Sequence, residues 1–105
     1  MARALVVGLC VLLSQAGNAA GFMVYGHGAR SCGAWTTARA EQTDLGMKGW
    51  VLGYVSAIGD TGFYVLRKTE QDAIFGFIDN YCRASPLEQL IDAARALSKE
   101  LSVPR

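Results

Sequence analysis

The sequence predicts an all-α fold: a small bundle of about four helices, stapled by one disulfide and holding at most one short extended segment. Two observations support this prediction. Apolar residues recur at intervals of three and four along most of the chain, which is the period of helices with one buried face. Two cysteines, Cys32 and Cys82, each fall within such a helical segment. The chain has 105 residues, which is room for one domain.

The first twenty residues have the pattern of a secretory signal peptide. Arg3 precedes an uninterrupted apolar run over residues 5–13, which is too short to span a bilayer. Small residues follow this run and favour cleavage after Ala19 or Ala20. We therefore expect residues 1–20 to be removed and the rest of the chain to be periplasmic or secreted.

Removal of this leader leaves residues 21–105 as a single, mainly helical domain with two thiols, Cys32 and Cys82, because Cys10 lies in the apolar run. An even pair of cysteines in an exported chain is typical of a disulfide. Closing so long a loop would stabilise the domain by about 4 kcal/mol through loop-closure entropy. Two buried free thiols are the alternative. A zinc site would lack ligands, because His27 is the only histidine.

The charge balance gives no reason to expect a partner that binds by long-range electrostatics. The chain has a formal net charge of +1, and loss of Arg3 brings the mature domain to about zero. We expect no nucleic-acid partner and no integral membrane segment after cleavage. The sequence also contains no cofactor-binding motif, and it leaves the oligomeric state open.

The mature chain begins with an arm and a first helix. Residues 26–28 place His27 between two glycines, so we predict an extended arm laid over the core, with His27 as a solvated loop residue. A general base is the alternative, but it would need an orienting partner. Ser31 is a favourable N-cap for a helix that carries Trp35 in the core and ends near Glu41.

The second helix is predicted over residues 45–58. This segment is apolar around nearly its whole circumference, which is typical of a helix surrounded by protein. Gly49, Gly53 and Ala57 fall four apart on one stripe. We expect a neighbouring helix to approach this stripe closely, because some packing gain must offset the poor helix propensity of the glycines.

A loop and the start of the third helix follow. Residues 59–62 have turn chemistry, and the β-prone residues 63–66 predict either a short strand or an apolar loop. Thr69 is predicted to cap the third helix. Glu70 and Asp72 would then lie near the positive end of the helix dipole.

The strongest local signal lies just after Cys82. Ser85, Pro86 and Glu88 have the pattern of a capping box with proline at the first helical position. We therefore predict that the fourth helix begins at Pro86 and ends before Pro104. The residues that we assign to the core of the bundle are Trp35, Trp50, Tyr54, Ile78, Leu90 and Ile91.

Cys32 in the first helix, the aromatic helix over residues 50–54, and a second cysteine just before the proline-started helix, in residues 81–86, together resemble the HdeA family of small periplasmic acid-stress chaperones. The glycine-tyrosine helix and the last helix are also similar to type VI secretion immunity proteins of the Rap1a kind. Both resemblances imply a compact, mainly helical, exported protein that carries a disulfide and no catalytic site.

Three classes of function remain open from the sequence. The first is a periplasmic holdase that opens in acid, because protonation of nine carboxylates would bring the neutral domain to roughly +10. The second is an immunity protein or inhibitor that binds a toxin or enzyme, with Phe63, Tyr64 and Arg67 as candidate contacts; core packing of Phe63 is the alternative. The third is an enzyme, but no nucleophile motif or paired-acid spacing is present. We assign no catalytic and no metal-binding residue.

Overall fold

A computed structural model describes residues 23–62 and 65–103. The predicted signal peptide, Phe63, Tyr64 and Pro104 lie outside the described residues. The predicted fold class is confirmed, because the described chain is mostly helical with one small sheet. Its elements in chain order are a 3₁₀ helix (Gly26–Ala29), α1 (Cys32–Glu41), α2 (Leu45–Asp60), β1 (Val65–Leu66), α3 (Gln71–Ala84), α4 (Leu90–Leu101) and β2 (Ser102–Val103).

The helices form two packing groups joined through α4. Helix α3 packs against both α1 and α4, whereas α2 packs against the 3₁₀ helix and α4. A disulfide joins Cys32 at the start of α1 to Cys82 near the end of α3, with Cα atoms 4.7 Å apart, which is a normal separation for a disulfide. The predicted staple is confirmed. It holds α1 to α3, and no cross-link reaches α2.

The core lies where the inner faces of the helices meet. Four of the residues assigned to it from the sequence are buried: Trp35, Ile78, Leu90 and Ile91. The other two, Trp50 and Tyr54, are only half-buried. Their rings stack with centroids 5.4 Å apart, and the pair lies along the side of α2.

Helix α1 begins at the predicted position. The hydroxyl of Ser31 accepts a hydrogen bond from a first-turn amide at 3.1 Å. The amide of Cys32 donates to the carbonyl of Glu88 at 2.7 Å. The amide of Gly33 donates to the carbonyl of Pro86 at 3.0 Å. The first-turn amides of α1, which have no partner within the helix, are therefore satisfied by Ser31 and by the turn that precedes α4.

The predicted start of the fourth helix at Pro86 is wrong. Helix α4 begins at Leu90, with a capping box formed by Gln89 and Asp92. A helix from Pro86 would need the Leu90 amide to donate to the Pro86 carbonyl. That amide donates instead to the carbonyl of Arg30 at 2.8 Å. Hydrogen bonds to the start of α1 therefore override the local capping signal.

Two other element boundaries differ from the prediction. The arm is not extended throughout, because it contains the 3₁₀ helix Gly26–Ala29. The N-cap of α3 is Glu70 and not Thr69, because the backbone is still extended at Glu70 and the helix begins at Gln71. The predicted short extended segment is present as β1, which pairs with β2 in antiparallel register.

Helix α2 is not surrounded by protein as predicted. Of its residues only Met47 and Val51 are buried, whereas Gly49, Gly53 and Ala57 are exposed. A Cβ built at either glycine has no neighbouring atom within 4 Å, so the predicted close approach of a neighbouring helix is wrong within the described chain. The reason is side-chain size. Glycine and alanine have little apolar area to bury, so a stripe of these residues gains little by facing the core.

Candidate functional site

Arg39 of α1 lies at the centre of an ion-pair network that joins three helices. Its guanidinium donates to both carboxylate oxygens of Asp79 in α3, at 2.9 and 2.8 Å. It also donates to Asp44, the N-cap of α2, at 3.2 Å, and the ammonium of Lys48 lies 3.3 Å from the same carboxylate. The indole of Trp35 donates to Asp79 at 2.7 Å. We call these five residues the Arg39 cluster.

The Arg39 cluster is partly shielded from water. The side chain of Asp44 is 10% exposed and that of Asp79 is 23% exposed. The Arg39 guanidinium lies 5.7 Å from the centroid of the Trp35 ring. This aromatic ring therefore replaces some of the water around the positive charge. Partly buried ion pairs are screened less by salt than exposed ones, and a bidentate pair of arginine with carboxylate is among the strong hydrogen-bonding geometries.

The cluster sets the protonation of its carboxyl groups. Burial alone would raise the pKa of Asp79, but hydrogen bonds from Arg39 and Trp35 outweigh burial and hold the pKa below its usual value. The pKa of Asp44 is also lowered, because hydrogen bonds from Arg39, from its own amide and from Lys48 outweigh the effect of burial. The hydrogen bond with Asp79 is the main reason that the pKa of Arg39 is raised. The cluster therefore stays charged until the solution is strongly acidic.

Sequence reasoning did not single out this cluster. Asp44 occupies the N-cap position of α2 without making a side-chain cap hydrogen bond, because its carboxylate is engaged by Arg39 and Lys48. One signal was available. Arg39 follows Trp35 by four residues, which places both on the same face of α1. A charged residue on the same helix face as a core tryptophan is partly buried, and buried charges are usually paired with an opposite charge.

The 3₁₀ helix covers one side of α2. The indole of Trp50 donates to the carbonyl of Tyr25 at 3.1 Å, and its ring lies so close to the backbone of Gly28 that a Cβ there would collide with it. His27 packs against Gly46, where a Cβ would lie 2.7 Å from the imidazole Nε2. His27 is half-buried, so its prediction as a solvated loop residue is wrong. The absence of a side chain at Gly46 allows the imidazole of His27 to pack closely against α2.

The side of α2 that points away from the buried residues Met47 and Val51 is uncovered in the described part of the chain. We call it the outer face of α2, and it consists of Leu45, Gly49, Gly53 and Ala57. Leu45 is 83% exposed, and Tyr25, in the segment that covers Trp50, is 76% exposed. The outer face of α2 therefore presents one large apolar side chain, Leu45, beside a stripe of small residues.

The loop residues proposed as partner contacts are only partly described, because Phe63 and Tyr64 lie outside the described residues. Arg67 is exposed. Its amide donates to the carbonyl of Leu101 at 2.8 Å, and its guanidinium donates to the carbonyl of Glu100 at 3.2 Å. Arg67 therefore satisfies carbonyl groups at the C-terminal end of α4. Its role in partner binding stays a prediction.

A shallow cleft of about 390 Å³ lies beside the Arg39 cluster and is lined by Thr36, Arg39, Ala40, Asp79 and Arg83. Its polar groups bind one another. Arg39 pairs with Asp79, and Arg83 donates to Asn80 at 2.9 Å. The described residues also contain no group of side chains that could hold a metal ion. The cleft therefore supports a structural role for these charges.

The chain matches no protein-family model, no curated protein and no solved structure. In the described part of the chain, no helix has both the length and the apolar character needed to cross a membrane.

Proposed function

We propose that the protein is a small exported, non-enzymatic module that binds other proteins, and that it acts as an HdeA-like holdase when acid releases α2. The observation that carries this proposal is that a covalent bond joins one pair of helices, whereas ion pairs that acid can break join α2 to that pair. The disulfide from Cys32 to Cys82 joins α1 to α3, whereas the polar tie from α2 to this pair runs through Asp44, Arg39 and Asp79. Acid breaks the second tie and leaves the first intact.

The direction of the acid effect follows from the pKa shifts. Asp44 and Asp79 have lower pKa values in the folded protein than in the unfolded chain. Their ion pairs therefore stabilise the fold above about pH 4, and this stabilisation is lost as the pH falls through the lowered pKa values. Protonation leaves Arg39 and Lys48 as neighbouring positive charges without counter-charges. Helix α2 is then held mainly by its apolar contacts.

Release of α2 would expose a surface suited to unfolded clients. The helix buries Met47 and Val51 on its inner face and has Trp50 and Tyr54 half-buried along its side. Lys48 and Asp60 are its only charged residues. An apolar helix of this kind can bind the apolar segments that a denaturing client exposes. The signal-peptide pattern and the disulfide support an oxidising compartment such as the periplasm.

The proposal is tested by aggregation of an acid-labile client protein, followed by light scattering at pH 3 and at pH 7. We expect equimolar protein to suppress aggregation at pH 3 and to have no effect at pH 7. The variant Asp79→Asn, which lacks one ion pair of the Arg39 cluster, should begin to protect at a higher pH than the wild type. Aggregation at pH 3 that is unchanged by a fivefold molar excess of the protein would contradict the proposal.

A second candidate function is an immunity protein or inhibitor that binds a toxin or enzyme at neutral pH. The observation that favours it is the outer face of α2, which is exposed in the folded protein, with Leu45 83% exposed. A pull-down from periplasmic extract at neutral pH tests this function. A single stoichiometric partner that is lost in the variant Leu45→Asp would support it, whereas retention of no partner by the wild type would contradict it.

A further inference from the structure

We propose that His27 is a pH-sensitive lock on the 3₁₀ helix, and that protonation of its imidazole in mild acid releases the 3₁₀ helix from α2 and uncovers Trp50. The lock would act before the Arg39 cluster breaks, because histidine side chains as a class are protonated between about pH 8 and pH 5, whereas carboxylates are protonated, and lose their charge, only in stronger acid. The inference rests on the proposed function only for its consequence, which is a wider apolar surface on α2.

The geometry of the imidazole provides the first argument. Its Nδ1 atom is buried and has no hydrogen-bond partner among the described residues. A neutral imidazole carries one proton, so with the proton on Nε2 the buried Nδ1 is a bare acceptor. Protonation of His27 adds an N–H donor at Nδ1. A buried donor without an acceptor is a costly group, so the protonated side chain favours a conformation in which Nδ1 reaches water.

The surroundings of the imidazole provide the second argument. His27 packs against Gly46, in the first turn of α2, and this helix start has no side-chain cap. The N-terminal end of a helix carries a partial positive charge, which disfavours a positively charged imidazole beside it. The 3₁₀ helix packs against α2 and α4; the charged residues closest in sequence to His27 and Gly46 are Arg30, Asp44 and Lys48, and the first turn of α4 carries Asp92.

None of these groups offers a free carboxylate to a protonated His27. Asp44 is shared by Arg39 and Lys48. Asp92 accepts the amide of Gln89 at 2.9 Å and lies 3.5 Å from Arg95. Arg30 adds a further positive charge, and its guanidinium contacts the sulfur of Met47. The charge of a protonated His27 therefore has no partner while the 3₁₀ helix stays in place.

The consequence for α2 follows from what the 3₁₀ helix contributes to Trp50. The segment supplies the carbonyl of Tyr25, which accepts from the indole at 3.1 Å, and the backbone of Gly28, on which the ring lies. Both contacts are lost together if the segment lifts. Trp50 and its stacked neighbour Tyr54 would then be exposed on the same side of α2.

The test uses ¹⁹F NMR of the exported protein labelled with 5-fluorotryptophan. The two tryptophans give two resonances, assigned with the variant Trp50→Phe, and buried Trp35 serves as an internal reference. Between pH 7.5 and pH 5 we expect the Trp50 resonance to move towards that of free fluorotryptophan, while Trp35 stays in place. The midpoint should equal that of the His27 Hε1 proton, followed by ¹H NMR in the same samples. The protection factor of the Arg30 amide, which donates to the His27 carbonyl, should fall roughly tenfold.

The variant His27→Gln, which keeps a polar side chain that does not titrate, should show no movement of Trp50 over this range. Titration of His27 without movement of Trp50, or movement that persists in His27→Gln, would overturn the inference. If His27→Gln fails to fold, comparison of the two midpoints in the wild type decides the question alone. This test needs no client protein. A failure of the His27 inference can therefore be told apart from a failure of the proposed holdase function.

Discussion

Replacement of Gly53 by alanine should stabilise the protein by about 0.5–1 kcal/mol. Gly53 lies inside α2, is exposed, and a Cβ built there meets no atom within 4 Å. Alanine lowers the conformational entropy of the unfolded chain relative to glycine, and no contact in the described structure opposes the added methyl group. The expected sign is therefore set by helix propensity alone.

Thermal unfolding followed by far-UV circular dichroism measures this effect. In a domain of this size 1 kcal/mol shifts Tm by about 4–8 °C, so we expect a rise of roughly 2–8 °C. Gly49→Ala should behave in the same way, because its position is also open. Gly28→Ala is the matched control and should lower Tm, because its Cβ would collide with the ring of Trp50.

The result that refutes this reasoning is a fall in Tm for Gly53→Ala comparable to that for Gly28→Ala. Such a fall would mean that another helix packs closely against the outer face of α2 in solution. Unfolding at two protein concentrations, tenfold apart, would then show whether that helix belongs to a second copy of the chain. An increase in Tm leaves the outer face free, as the second candidate function requires.

Three further predictions address the remaining parts of the structure. Asp79→Asn keeps an acceptor for the Trp35 indole but removes the charge, so urea unfolding should show a loss of about 1–3 kcal/mol at pH 7. Because the pKa of Asp79 is lowered by folding, this loss should shrink as the pH falls through the lowered pKa. A loss in strong acid equal to that at pH 7 would contradict the ion pair. Cys32→Ser should cost about 2–5 kcal/mol, and free alkylation of the wild-type thiols without reductant would contradict the disulfide. Asp92→Ala should lower the free energy of unfolding by about 0.5–2 kcal/mol through loss of the capping box at α4. Ser85→Ala should change it by less than about 0.5 kcal/mol. A larger loss for Ser85→Ala than for Asp92→Ala would contradict the observed start of α4.

The features that the sequence predicts well depend on local rules or on simple counting. The start of α1 follows from Ser31, whose hydroxyl accepts a first-turn amide as an N-cap should. The disulfide follows from two cysteines that remain once the leader is set aside, each on the inner face of a helix. Neither inference needs knowledge of how the helices are arranged.

The features that the sequence does not predict depend on distant partners. The ion pair of Arg39 with Asp79 joins residues 40 positions apart, and no local pattern identifies that partner. The start of α4 fails for the same reason, because the carbonyl of Arg30 captures the amide of Leu90 and so cancels a favourable capping box. Tertiary hydrogen bonds outweigh local preference in both places.

The orientation of α2 is missed for a different reason. A hydropathy pattern counts Gly53 and Val51 alike as apolar, although only the larger side chain gains much from burial. A helix that buries Met47 and Val51 and exposes the small residues Gly49, Gly53 and Ala57 therefore appears uniformly apolar in sequence. Side-chain size, and not polarity alone, decides which face of α2 turns inward.

The central claim is that acid releases α2 while the disulfide keeps α1 and α3 together. Hydrogen exchange at pH 3 without reductant, read by mass spectrometry and corrected for intrinsic exchange rates, tests it most directly. We predict that amides of α2 (Leu45–Asp60) lose their protection while those of α3 around Cys82 retain it. Loss of protection in both helices together, or protection of α2 that persists after α3 has exchanged, would contradict the claim.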